Sequence, residues 1–419
     1  MEVAGGERLS FMQWALVITS NAEKGANMRL RNKLTFSLVF SLISVILTVS
    51  VVHAGPREQA KRMHDRLVGV PPSDAVLDSM ATKIQNGDTV GAAYEAMENP
   101  VFYSTTLKDF ATPWTNREQS IYSDLNDFSA TVIGMIRDEV PFNQVLSGDI
   151  VYIGSAAASD NVPYSQTDNE HYEELQNRNV DLSDPNNFFQ AQQSALPGSV
   201  LPAAATAGVM TTRGFAQAFL VAGTNRAAFR YTSLNFLCKD MEDLRDSTAR
   251  PNFIRQDVTR SPGGDSNFFF AECLTCHAGM DGLSGAFAYY DFDEETMQIA
   301  YTQGVVQPKY LQAAGTFRFG HVTQNDGWVN YWRNGPNAFI GWNGPAGSGL
   351  GAKSLGVELA STRQFAECQV EKTFEKVCYR PPNGMVDHQQ VENIATIFQT
   401  NNYSMKRVFA ETAAYCMGN

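Results

Sequence analysis

The chain has 419 residues, 43% hydrophobic and 18% charged, with a formal net charge of −12. It is too long for one ordinary core and too apolar for a disordered chain, so two or three packed units are expected. So acidic a surface repels nucleic acid and anionic lipid, which argues against both as partners.

Met28-Arg29-Leu30-Arg31-Asn32-Lys33 is a short basic segment, followed by an apolar run from Leu34 to Val52 and a small-residue site at Val52-His53-Ala54. That is the layout of a secretory signal peptide over residues 28–54, cleaved after Ala54. It makes Met28 the expected start and residues 1–27 an upstream extension. The destination is then periplasmic or secreted, and the product is not integral to the membrane. A retained anchor is the alternative, because the apolar run is nearly long enough to span.

Residues 55–153 read as a helical unit. Ala60, Met63 and Leu67 share one face of a first helix, and Ser73 caps a second that carries Val76, Leu77, Met80 and Ile84. Asn86-Gly87-Asp88 divides it from a third, through Ala92, Ala93 and Met97. Leu125, Phe128, Val132 and Ile136 mark a longer buried stripe, and Pro141 to Leu146 a short helix. His64 is expected on the surface. Residues 154–202 lose all periodicity and read as a polar surface loop, with His171 solvated.

A second unit, residues 203–300, opens with helices over Thr211–Val221 and Ala227–Cys238, the latter burying Phe229, Leu234 and Leu237. It then reaches Cys273-Leu274-Thr275-Cys276-His277. Two cysteines three apart lie on one helical turn, so both sulfurs can reach the two vinyl groups of one porphyrin, and the next residue offers an imidazole to the iron. One covalent haem c is therefore the leading expectation, with Cys273 and Cys276 as the attachment points and His277 as the proximal ligand. A redox dithiol would require a thioredoxin-like strand-turn-helix context, and zinc a second close ligand pair; neither is visible. Export permits disulfides among the other four cysteines, and a bridge among Cys368, Cys378 and Cys416 is expected.

Beyond the motif, Leu283–Tyr290 suggests a short helix ended by Asp291-Phe292-Asp293. Residues 301–362 are rich in glycine and tryptophan and read as loops and short strands. In residues 363–419 the helical period returns: Asp387 caps one helix bearing Val391, Ile394, Ala395 and Phe398, and Ser404 another bearing Met405, Val408, Phe409 and Thr412.

The ligand opposite His277 is open at this level. Met280 is too close in sequence to leave the proximal side. Met385, in the loop after Pro381-Pro382-Asn383-Gly384, and His321, in a glycine-flanked loop, are the two main candidates; His388 is a third, and an unligated sixth position a fourth. Phe268, Phe269, Phe270, Tyr289, Tyr290, Trp328 and Trp332 are candidates to wall a porphyrin, ordinary core packing being the alternative. Arg213, Arg230 and Arg318 are candidates to pair with its propionates, and a plain surface position is the alternative. No residue set suggests a hydrolytic triad, a phosphate loop or a zinc protease.

Thr211-Thr212-Arg213-Gly214, Asn225-Arg226-Ala227-Ala228 to Cys238, Cys273 to Gly282 and Asp291-Phe292-Asp293 together resemble the haem module of the planctomycete-type cytochrome c family. Phe365 to Cys368, Tyr379, Asp387 and Ile394 to Met405 resemble the helical module that follows it. Arg66 to Pro72 and Val140 to Asn143 are similar to the N-terminal module of related exported haem proteins. The resemblance implies a mainly α, multi-unit helical protein with a cytochrome c-like haem-attachment helix and long irregular loops. Gly282 stands where the family commonly has proline. A single CxxCH excludes haem-to-haem transfer within the chain. The expected role is electron transfer with redox partner proteins. The alternatives are a haem enzyme with an open sixth site acting on peroxide or another small oxidant, and an interaction protein in which haem is a structural staple.

Overall fold

In a computed structural model of the protein, residues 54–221, 223–256, 266–311, 320–345 and 347–418 are described. The signal-peptide and extension expectations, and Arg318, lie outside them. Among the described residues no helix is long and apolar enough to cross a membrane.

The protein is mainly helical, and its first helices start where local chemistry says they should. Helix α1 spans Pro56–Val68, with proline at its first position and Gly69 closing it in the left-handed region. Helix α2, Asp74–Gln85, is capped by Ser73, whose hydroxyl accepts the Val76 N–H; α3, Thr89–Ala96, is capped by Asp88 through Gly91 N–H. A π turn at Phe102–Leu107 and a short turn at Lys108–Ala111 lead to α4, Asp127–Arg137, which opens on a capping box between Asn126 and Ser129. Leu125, Phe128, Val132 and Ile136 are all buried along it, as their spacing predicts.

Residues 154–202 do not form a surface loop. Strand β1, Val151–Gly154, pairs antiparallel with β2, Phe188–Ala191, and helix α5, Glu170–Asn177, packs between them in sequence. His171 lies on α5 and is 3% exposed. Its Nε2 accepts the Gly154 N–H at 2.9 Å and its Nδ1 meets the Val162 carbonyl at 2.7 Å. His64 is likewise buried, 1% exposed, with Nδ1 on the Val70 carbonyl at 2.9 Å. Both histidines were expected in solvent. Backbone groups from residues outside the regular helices needed partners, and a ring nitrogen supplied them.

Helices α6, Arg213–Phe219, α7, Arg226–Leu237, and α8, Leu274–Ser284, follow. The short helix predicted over Leu283–Tyr290 is the last turn of a longer helix and a 3₁₀ turn, Gly285–Phe287; the chain then runs into β3, Tyr290–Asp293, which pairs with β4, Gln298–Tyr301. Strands β5, Gly327–Val329, and β6, Ser348–Leu350, form a third hairpin-like pair, and α9, Gly351–Ala360, continues directly from it. Helices α10, Arg363–Cys378, α11, Gly384–Thr400, and α12, Met405–Cys416, complete the chain. Asn383, not Asp387, is the N-cap of α11; the Asp387 carboxylate instead reaches back to the Asn383 N–H at 2.8 Å and pairs with Arg380.

One continuous apolar core joins these elements, from Ala60 on α1 to Ala413 on α12. Its spine is aromatic: Phe128 stacks near Phe236, Phe236 near Phe365, and Phe365 near Phe398, with centroids 6.4, 6.5 and 6.4 Å apart. The segments bounded at residues 153, 202, 300 and 362 all contribute to it. The last helix returns to the first, where Arg62 donates to the Met417 carbonyl and Arg66 to that of Cys416. Cys378–Cys416 ties α10 to α12, and Cys238–Cys368 ties the end of α7 to α10. The first bridge falls among the cysteines expected to pair; the second draws Cys368 to a residue 130 positions earlier.

Burial pushes the His64 and His171 imidazoles below their ordinary range. Their folded pKa values thus lie below the unfolded value of about 6.5, so their contribution is complete above that pH and is lost as pH falls towards the folded values. Urea unfolding should therefore give lower stability at pH 5.5 than at pH 7.5, and a His64→Gln/His171→Gln variant should show a shallower loss over the same window.

Candidate functional site

The CxxCH segment begins at a change of helical register. A π turn, Phe269–Cys273, tightens into helix α8, Leu274–Ser284, so the two cysteines straddle its first turn. Four of the six cysteines are paired, and only Cys273 and Cys276 are free. Cys276 packs against the main core and its Sγ lies 3.4 Å from the Met241 carbonyl; Cys273 packs instead on a satellite cluster of Ile254 and Phe269. Burial, with Cys276 and Glu272 nearby, pushes the Cys273 thiol up. A redox-active dithiol needs the reverse shift. Among the described residues no three His, Cys, Asp or Glu side chains are grouped to hold a metal ion, so a zinc site lacks its further ligands.

His277 and Asp281 stand one turn apart on α8, and the imidazole Nδ1 lies 3.1 Å from Asp281 Oδ1. An ionised carboxylate only accepts, so Nδ1 carries a proton, and in the neutral ring that leaves the lone pair on Nε2. The ring is 19% exposed and packs at 5.2 Å from that of Phe269. Phe269 is fully buried, whereas Phe268 and Phe270 are 49% and 55% exposed. Two half-exposed aromatic rings thus precede the free thiols in the chain.

Asp281 is fully buried, and desolvation by itself would disfavour its charge. Arg226, at the start of α7, answers with a two-pronged pair: Nε to Oδ1 at 2.7 Å and Nη2 to Oδ2 at 3.0 Å. Arg255 donates Nη1 to the Asp281 carbonyl at 3.0 Å, with Nη2 3.9 Å from Oδ1. Its guanidinium also bonds Thr224 Oγ1 at 3.1 Å and lies over the Tyr310 ring. Against the opposing cost of burial, Arg226, His277 and Arg255 hold the Asp281 carboxyl well below the usual carboxylate range. Asn225, held at φ 54°, anchors the other end of the arrangement by donating Nδ2 to the Phe287 and Tyr290 carbonyls, both at 2.9 Å.

Beside this cluster, three glycines on and just after α8 face close neighbours. A Cβ added at Gly279 would overlap the indole of Trp332, and at Gly282 or Gly285 it would overlap the carbonyls of Val329 and Gly327. Close approach of β5 and Trp332 is what those three positions require.

The remaining sequence candidates are scattered. His321 pairs its backbone with Arg255, packs its ring on Phe253 at 5.0 Å and lines a cleft of about 430 Å³ shared with Arg255, Asp281 and Trp328. Met385, in the first turn of α11, is 89% exposed, and His388 is exposed too. No described contact joins any of the three to His277. Tyr290 donates to the Ala205 carbonyl and Trp328 to Ser354 Oγ, so both belong to the core, as does Met280. Arg213 bonds the Met297 and Thr167 carbonyls, and Arg230 pairs with Asp240 at 2.6 Å. A larger cleft of about 770 Å³ lies around Arg213 and Asp124, and no residue of α8 lines it. Sequence reasoning missed Arg226, Arg255 and Asp281 as a charge cluster. The i+4 spacing of His277 and Asp281 was a usable signal; nothing local marks the arginines.

Compared with protein-family profiles, curated proteins and solved structures, the chain matches none.

Overpacking a tight interface costs about 1–3 kcal/mol. Gly285→Ala should lower unfolding stability by an amount in that range, because the group in its way is backbone. Gly304→Ala, where an added Cβ meets nothing, should cost only the strain of its φ of +75°.

Proposed function

We propose that the chain is an exported c-type cytochrome carrying one covalent haem on Cys273, Cys276 and His277, and that it transfers electrons to or from protein partners. One observation carries this reading. The two cysteines left out of the disulfides are the pair spaced CxxC, and the adjacent imidazole is held by its Nδ1 with Nε2 available among the described residues.

The residues suit the group. Two thiols on one helical turn match two vinyl positions, and Phe268 and Phe270, a few residues earlier, leave apolar ring surface exposed. Asp281 orients the imidazole that would face the iron, and the two arginines keep that carboxylate ionised in a dry setting. When bound, the haem would supply a one-electron couple whose potential follows its axial ligands and burial. The likeness of residues 211–293 and 365–405 to the planctomycete-type cytochrome c modules points the same way, as does the signal-like segment, since haem ligation of this kind belongs with export.

Produced in a host with haem-ligation machinery, the protein should be heavier by one haem and coloured, and Cys273→Ala/Cys276→Ala should be colourless at the bare polypeptide mass. A colourless wild-type protein of unmodified mass overturns the proposal. Carbon monoxide added to the reduced protein then separates a carrier from an enzyme: slow or incomplete binding is expected of the carrier, and rapid, complete binding would count for an open sixth position.

A further inference from the structure

We infer that Asp281, with Arg226 and Arg255 behind it, sets the electron-donating strength of His277 and so tunes the reduction potential of the group His277 would hold. This rests on the haem reading above and concerns positioning residues, since none of the three reaches Nε2 in the described geometry.

The charge on Asp281 is costly where it sits. Asp281 has no exposed side-chain surface, and a buried carboxylate persists only with close compensation. Arg226 occupies one edge of it through both oxygens, and Oδ1 is left to serve Arg226, His277 and, at longer range, Arg255. The His277 N–H is therefore aimed at an oxygen whose negative charge is already drawn off by guanidinium groups.

A full negative charge at Nδ1–H gives the imidazole more anionic character, strengthens its donation through Nε2 and favours the oxidised iron. The arginines moderate that effect. Carboxylate and guanidinium thus pull His277 in opposite directions, and the pairing fixes the balance. Many hydrogen-bonded histidines have a single neutral acceptor and no such counterweight; here the acceptor carries charge and its strength is set by a residue 55 positions away in sequence.

Opposite changes should follow from removing the two sides. With haem attached, Asp281→Asn keeps an acceptor of similar shape but no charge, and the midpoint potential should rise. Arg226→Gln leaves the carboxylate less compensated, and the potential should fall; Arg226→Lys, which restores charge without the fork, should bring it part of the way back. Potentials are read by spectroelectrochemical titration of the full exported chain, with haem content checked by mass. Shifts of opposite sign support the inference. Shifts of the same sign, or none, overturn it while leaving the haem reading intact, because a merely structural role would move both variants alike. Should Asp281→Asn fail to accumulate, the direction of the Arg226→Gln shift decides alone: unchanged or raised, it overturns the inference. A wild-type protein without haem removes the premise of both readings and is recognised by its mass before any potential is measured.

Discussion

A carboxylate with no access to water is the constraint around which the centre of this protein is arranged. Asp281 keeps its charge through Arg226, His277 and Arg255 together, and Arg226 cannot reach it unless α7 lies against α8. Losing one partner of such a pair typically costs about 3–5 kcal/mol, because the other charge is left stranded. The same geometry explains the glycines on and just after α8. The helix that carries the cluster is also pressed on Trp332 and β5, and there is no room for a Cβ at Gly279, Gly282 or Gly285.

The rest of the fold holds those two helices in register. Cys238, at the end of α7, is bonded to Cys368 on α10, and α10 is bonded through Cys378 to α12, which lies back against α1. Two covalent ties and an aromatic spine through Phe128, Phe236, Phe365 and Phe398 therefore connect the start, middle and end of the described chain. Closing long loops of this kind stabilises chiefly by restricting the unfolded chain. The free pair at CxxC is the exception in a protein that otherwise pairs its cysteines, and the histidine beside it has one nitrogen committed and one available among the described residues.

This arrangement favours a held, positioned imidazole over a dissociable thiol or a proton shuttle. Cys273 is pushed towards its protonated form by burial, and Asp281 is kept ionised by its arginines. Neither condition suits thiol exchange or general acid chemistry at that carboxyl. Both suit a site whose task is to present Nε2 in a fixed direction.

Much of the secondary structure was legible from the chain alone, because its signals are local. Ser73, Asp88 and Ser404 cap the helices they precede by accepting N–H groups that no helical carbonyl can reach, and the periodic apolar residues Phe128, Val132 and Ile136 mark a helix that is in fact buried on every side. The CxxCH spacing placed the two thiols on one turn. What local pattern could not reveal depends on distant chain: Arg226 and Arg255 converging on Asp281, Cys238 meeting Cys368, and His64 and His171 enclosed. Polar residues look alike in sequence whether water or a buried partner satisfies them, and only the packed structure assigns the partner. The hairpin at Tyr290–Tyr301 belongs to the same class, since among the described residues its two strands pair only with each other, across a turn that carries no strong sequence signal. Periodicity and capping therefore determined where most helices run, while burial, charge compensation and cross-chain bonding were settled only when remote segments came together.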